Sequence, residues 1–252
     1  MRTKLIKAIS PDFFLGKTLV SIKAIFDILV MVVRNPSKQS LKFANVILKV
    51  KPKYTMVRNK NLISLYNLVR RANALNLSGD IVECGVWNGG SAAVMGVACM
   101  EDEHCSKKRN LWLFDSFEGL PLPGELDGNI ERKSYTEGWN RGDIGKVKMV
   151  FHKLGLPLEN VRIIPGWFDV TLRAAPINTI AVLHIDADWY DSVKVVLEIF
   201  YDRVVPGGFI VLDDYGYWHG CDRALADYFA EHQIENIAIK QVDRVGGYFQ
   251  KP

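Results

Sequence analysis

The 252-residue sequence predicts an α/β fold: a mostly parallel seven-stranded sheet with helices on both faces. Three observations carry this. Short apolar segments alternate with helix-patterned ones, the sequence signature of strand–helix–strand crossovers. Several apolar segments end in a glycine turn or in acids, where the carboxyl edge of a parallel sheet gathers its ligands. The last segment, AIKQVDRVGGYFQ (238–250), reads as two strands about a tight turn at Arg244 and Gly246, an antiparallel carboxyl-terminal hairpin.

In chain order, residues 1–53 read as one or two helices and a basic connection, broken at Pro11, Pro36 and Pro52. They form a helical amino-terminal cap, and residues 54–252 form the catalytic domain. Residues 61–77 have strong helical periodicity, which Gly79 ends. DIVECG (80–85) is a strand entering a glycine turn, and SAAVMGVACM (91–100) a small-residue helix. NLWLFDSF (110–117) is the second strand. Residues 119–145, rich in Gly, Pro and charge, read as a long loop or lid. A helix over 147–156 and a strand over 160–167 follow. The fourth strand is 179–186, then a helix over 190–203, the fifth strand over 206–214 and a helix over 221–232.

Composition bounds the function. Residues 1–60 carry 13 Lys or Arg against two acids, Asp12 and Asp27, while the rest of the chain is acidic. Such asymmetry suits nucleic acid, an anionic membrane or a charged ligand, or a plain solvated face. Leu19, Ile22, Ile25, Phe26, Leu29, Val30 and Val33 follow helical spacing, so residues 13–34 hold an amphipathic helix. Its apolar face suits packing on its own domain or on a second subunit, and a homo-oligomer is expected. A membrane surface is the alternative. Lys23 and Asp27 interrupt the run, which is too short to span a bilayer. Cys84, Cys99, Cys105 and Cys221 form no C-x-x-C pair, so reduced thiols and a cytoplasmic setting are expected.

Two groups of residues carry chemistry. In VECGVWNGGSA (82–92), Gly85 and Gly89 allow close approach of a ligand to the backbone. The stretch is neither a dinucleotide fingerprint nor a phosphate-binding loop with its lysine. Glu83 before the first glycine would repel a pyrophosphate and suit the amino group of S-adenosylmethionine. Asp115, ending the second strand, sits where a ribose diol is held. Gly166 and Trp167, at the end of the third, could face an adenine. The second group is acidic: Asp186 and Asp188 end one strand, Asp213 and Asp214 another. If those strands are neighbours, Asp186, Asp213 and Asp214 form an all-oxygen site suited to Mg2+ rather than Zn2+. Coordination would favour ionisation of a sugar or catechol hydroxyl next to a sulfonium methyl. Asp186 is the candidate base, with His184 and His219 as alternatives.

GDIVECGVWNGGSA, LFDSFEGLP, HIDADWYDS and PGGFIVLDDYGYWHGCDRALADYF together resemble the macrocin O-methyltransferase family, from about residue 55 to the end. The resemblance implies a class I, Rossmann-like methyltransferase fold, S-adenosylmethionine and Mg2+ as cofactors, and a glycosylated or polyol small-molecule acceptor, with no nucleic acid. It implies metal ligation by Asp186, Asp213 and Asp214, and cofactor contacts from Glu83, the Gly85–Gly89 turn, Ser91, Asp115 and Ser116. Ala187 and Trp189 depart from the family pattern near the acceptor side. A catechol-type phenol O-methyltransferase, or a non-catalytic scaffold built on the same fold, are the rival expectations.

Overall fold

The computed structural model describes residues 28–30, 33, 37–100 and 109–252. Its elements are α1 (Lys38–Val50), α2 (Asn59–Ala74), β1 (Asp80–Cys84), α3 (Gly90–Met100), β2 (Leu111–Asp115), α4 (Asn129–Ser134), α5 (Ile144–Lys153), β3 (Val161–Pro165), α6 (Phe168–Ala174), β4 (Ile180–Ile185), α7 (Tyr190–Phe200), a 3-10 turn (Tyr201–Arg203), β5 (Val204–Leu212), α8 (His219–Glu231), β6 (Lys240–Gln241) and β7 (Gly247–Gln250). The strands form one seven-stranded sheet in the order β3-β2-β1-β4-β5-β7-β6. β1 to β5 pair in parallel. β7 runs antiparallel to both β5 and β6. The order reverses at β1, so β1 and β4 flank the crevice where such sheets hold ligands.

The central strands are apolar because both faces are covered. On one face Ile81, Val182 and Phe209 pack against α1, α2, α3 and α5. On the other, Val82, Leu183 and Ile210 pack against α7 and α8. Each fully buried aliphatic side chain contributes roughly 1.5–3 kcal/mol. α1 belongs to the first of these cores through Phe43, Ile47 and Val50. Its amino end is capped by Ser37, whose hydroxyl accepts from the Ser40 N–H at 3.0 Å. Asp143 caps α5 the same way.

Boundaries differ from expectation where local signals are weak. The segment 119–145 holds the short helix α4, and α5 begins at Ile144 rather than near 147. α6 has no counterpart among the expected elements, because FDVTLRA buries only Leu172 and shows no apolar stripe. Most of the expected helix across 13–34 lies outside the described residues. Among the described residues, no helix is long and apolar enough to cross a membrane. Cys84 and Cys221 are free thiols, and Cys105 lies outside the described residues.

Candidate active site

β4 and β5 are neighbours, and their carboxyl ends bring the acids together. Asp213 N–H donates to the Ile185 carbonyl at 2.9 Å, aligning the two tips. Beyond β4 the chain turns sharply, with Asp188 at φ +54. Its N–H donates to Asp214 Oδ2 at 3.2 Å. One ligand oxygen from each of Asp186, Asp188 and Asp214 lies within 4.8 Å of the others. Asp213 stands beside them, its Oδ1 accepting from Asn61 Nδ2 at 3.0 Å. Burial, then repulsion from the neighbouring acids, pushes the Asp186 and Asp214 carboxyls well above the usual range. Asp188 is pushed up to about 7, chiefly by burial, although a hydrogen bond from Trp218 Nε1 at 2.9 Å opposes the shift. Among the described residues, no Lys or Arg forms an ion pair with any of the four. A cluster of this kind is stable when a cation shares it.

Two cavities meet at these acids. The first, about 360 Å³, is lined by Gly85, Asp115, Ser116, Trp167, Asp186 and Asp188, with Gly119 to Pro121 along one side. The second, about 340 Å³, is lined by Tyr54 to Arg58, Ser91 and all four acids. Asp186 and Asp188 line both, as do Met56, Trp87 and Asn140. The Gly85 turn makes this possible. At φ +92, a Cβ on Gly85 would stand 1.7 Å from the Asp186 carbonyl oxygen, so only glycine lets β1 and β4 turn together here. Asp115 braces the same turn. Its Oδ2 accepts from the Val86 and Trp87 N–H groups, both at 2.8 Å, and its Oδ1 from Phe117 N–H at 2.6 Å. Oδ1 retains a second lone pair, and Asp115 lines the first cavity.

The segment between β2 and α5 is latched over the site by two buried acids. Neither α7 nor α8 has a cap from its own chain neighbours. Asp127 supplies one: its Oδ1 accepts from the Tyr190 N–H at the start of α7 at 2.8 Å, and its Oδ2 from Gly124 N–H at 2.8 Å. Glu131, from α4, accepts from the His219 N–H at the start of α8 at 3.1 Å. Carboxylates are favoured at helix amino termini. Gly220 makes room, since a Cβ there would lie 1.9 Å from Asp127 Oδ1. Trp139 of the same segment packs against Trp189 and Trp218, with ring centroids 6.2 and 6.4 Å away.

Comparison with known proteins decides what this geometry serves. The family model for macrocin O-methyltransferases (TylF) matches residues 38–251. The chain belongs to the macrocin O-methyltransferase family. It is therefore an S-adenosylmethionine-dependent O-methyltransferase of class I fold. Demethyldecarbamoylnovobiocin O-methyltransferase of Streptomyces niveus is 36% identical over 202 residues, 79% of this chain and 76% of that protein. A tetracenomycin rhamnosyl 4'-O-methyltransferase of Streptomyces olivaceus is 34% identical over 200 residues, 78% of this chain and 75% of that one. The solved O-methyltransferase NovP superposes with a TM-score of 0.72 at 34% identity, covering 79% of this chain and 82% of its own. The calicheamicin methyltransferase CalS11 shares the fold at 17% identity, with a TM-score of 0.64 over 97% of this chain and 94% of its own.

In this macrocin-type methyltransferase, not every expected site residue reaches the cavities. Gly85, Asp115, Ser116 and Trp167 line the first, and Ser91, Asp213 and Asp214 the second. Glu83 does not line either. It is fully buried beneath the turn, its Oε1 2.9 Å from His184 Nδ1. The β1–β4 register, Glu83 opposite His184, places the two side by side. Gly89 packs on Val147 and Gly166 on Thr171. His219 is exposed, lines neither cavity, and engages Glu131 through its backbone. The sequence reading missed Asp127, Glu131, Asn61 and Trp218. Each acts across many residues of chain, so no local spacing marks it. The one available signal was the lack of a Ser, Thr, Asp or Asn before α7 and α8, where Trp189 and Trp218 stand.

Proposed function

We propose that this enzyme transfers the methyl group of S-adenosylmethionine to a hydroxyl of a glycosylated or polyol small molecule, with Mg2+ held by the acids of the β4 and β5 tips. The observation that carries the reading is that Asp186 and Asp188 form the wall shared by two cavities, one suited to the donor and one to the acceptor. Both cavities fall in the size range of small-molecule sites. The glycine-lined turn, which a single Cβ would fill, suits a cofactor lying against the backbone. Oxygen-only ligands, converging and with no ion-paired Lys or Arg among the described residues, fit a hard divalent ion. Asp186, Asp188 and Asp214 form the converging set, and Asp213, oriented by Asn61, flanks it.

When bound, S-adenosylmethionine supplies an electrophilic methyl on a sulfonium, and Mg2+ lowers the pKa of a neighbouring hydroxyl. The chain's residues do the rest. Gly85 and the residues after it hold the donor close to the β1 turn. Thr55, Arg58 and Tyr217 line the acceptor side, which orients a polyhydroxylated group so that one oxygen faces the methyl carbon. Asp186, which lines both cavities, accepts the hydroxyl proton. The latched segment 119–143, through Leu120 and Pro121, keeps water from the donor.

The test is methyl transfer from S-adenosylmethionine to a panel of glycosylated acceptors and to catechols, with Mg2+ and with EDTA. Mg2+-dependent methylation of a glycosyl hydroxyl is expected. Turnover confined to catechols would replace the acceptor class, and turnover unaffected by EDTA would remove the metal from the mechanism.

A further inference from the structure

We propose that the face of the molecule built by α1 and α5 docks on an anionic lipid bilayer. Among the described helices, charge is divided by the sheet. On one side, α1, α2 and α5 carry nine Lys or Arg and no acid. On the other, α6, α7 and α8 carry six acids and three Lys or Arg. α1 and α5 lie together: Lys153 Nζ donates to the Lys49 carbonyl at 3.0 Å, joining their carboxyl ends. Among the described residues, Lys42, Lys49, Lys146 and Lys148 enter no ion pair. Among the described residues, no acid neutralises them.

Basic residues alone would be an ordinary solvated face. Here they stand next in sequence to exposed apolar side chains on the same two helices. Leu41 and Leu48, two turns apart on α1, are 59% and 54% exposed, and Met149 on α5 is 50% exposed. Asn45, exposed between the two leucines, is polar but uncharged, so no acid interrupts the patch on α1. Large apolar side chains next to lysines match an interface of acyl chains beneath anionic headgroups. Phosphodiester backbones offer nothing to Leu41, Leu48 or Met149. A second copy of the same face would set lysines against lysines, with no acid to pair them. The chain before α1 continues the pattern, since residues 1–37 hold six Lys or Arg against two acids. The connection from α1 to α2 forms one wall of the acceptor cavity through Tyr54 to Arg58. Docking through α1 therefore sets the mouth of that cavity close to the lipid surface. The proposal is independent of which acceptor the enzyme uses.

The experiment is co-sedimentation of the full chain with vesicles of phosphatidylcholine alone or mixed with phosphatidylglycerol, in low and high salt. Binding to the mixed vesicles only, weakened by salt, is expected. Each Lys near the surface is worth about fivefold in partition. Lys42→Glu, Lys49→Glu and Lys148→Glu together should therefore lower binding by at least about a hundredfold. Leu41→Ser with Leu48→Ser should lower it at unchanged charge. Methyl transfer to a soluble acceptor and the melting temperature should stay at parent values in both variants. No binding to anionic vesicles, or binding indifferent to both variants, overturns the proposal. So does a homodimer in light scattering that Leu41→Ser with Leu48→Ser dissolves, which assigns the face to a second copy. RNA binding as tight as vesicle binding and indifferent to the leucine changes also overturns it.

Discussion

Asp127→Ala separates a latched segment from a merely adjacent one. The Asp127 carboxylate accepts from two backbone donors, Tyr190 N–H and Gly124 N–H, each at 2.8 Å. The side chain is buried, at 4% exposure. Truncation strands the Tyr190 donor inside the protein and the Gly124 donor near its surface. A stranded buried donor costs about 1–3 kcal/mol, and a hydrated one less. The loss should total about 2–4 kcal/mol. At this chain length each kcal/mol moves the melting temperature by about 2–4 °C, giving a fall of roughly 5–15 °C. Asp127→Asn keeps one acceptor oxygen and should cost about 1 kcal/mol. Tyr190 lies two residues beyond Asp188, so loosening the start of α7 also loosens the acid cluster. Supports of this kind are worth about 10–100-fold in metal affinity. Differential scanning calorimetry reads the first effect and isothermal titration with Mg2+ the second. An Asp127→Ala protein melting within 2 °C of the parent, with the parent's Mg2+ affinity, would refute the latch.

Three further outcomes follow from the same geometry. Gly85→Ala forces a Cβ to within 1.7 Å of the Asp186 carbonyl at a backbone conformation alanine resists. Binding of S-adenosylhomocysteine should weaken by at least about tenfold, and parent-like binding in calorimetry would deny the close approach. Trp218→Phe keeps the ring but removes the donor to Asp188 Oδ1. Mg2+ affinity at pH 7 should fall about threefold to tenfold and recover as pH rises, whereas a loss equal at all pH values would point to packing instead. The pH dependence has a definite sign. Burial raises Asp188 to about 7 in the folded chain, so the folded metal-free protein keeps a proton that the unfolded chain releases near pH 4. In EDTA, stability should therefore decline as pH rises from about 4 to 7, and Mg2+ should restore it. A melting temperature in EDTA that climbs across that range contradicts the picture.

The sheet was legible because its strands are short apolar runs bounded by Gly, Pro or acids, and because parallel sheets bury both faces. That the β4 and β5 tips bring acids together followed from strand order, but the converging set holds Asp188 where Asp213 was expected. The roles of individual acids did not follow from it. Asp188, left out of the expected ligand set, joins it. Its N–H reaches Asp214, its carboxylate takes a proton donor from Trp218, and Asp127 caps α7 from more than 60 residues away. Asp127 and Glu131 fall in the segment 119–145, read only as a loop or lid, because capping of a distant helix leaves no periodicity. Glu83 precedes a ligand-binding turn, which suggested contact with the ligand. Strand alternation turns it to the face where His184 stands. Asn61 was invisible for the same reason as Asp127, since its partners Asp213 and Val245 lie far along the chain.

The central claim is that the β4 and β5 tips hold a divalent ion that the reaction needs. Mg2+ titration of the parent, Asp186→Asn and Asp214→Asn, each loaded with S-adenosylhomocysteine and followed by turnover assays, tests it most directly. The account predicts one Mg2+ per parent chain, activity abolished by EDTA and restored by Mg2+, and loss of both in the variants with donor binding kept within a few-fold. Parent-like Mg2+ binding in the variants, or full parent activity in EDTA, would contradict it.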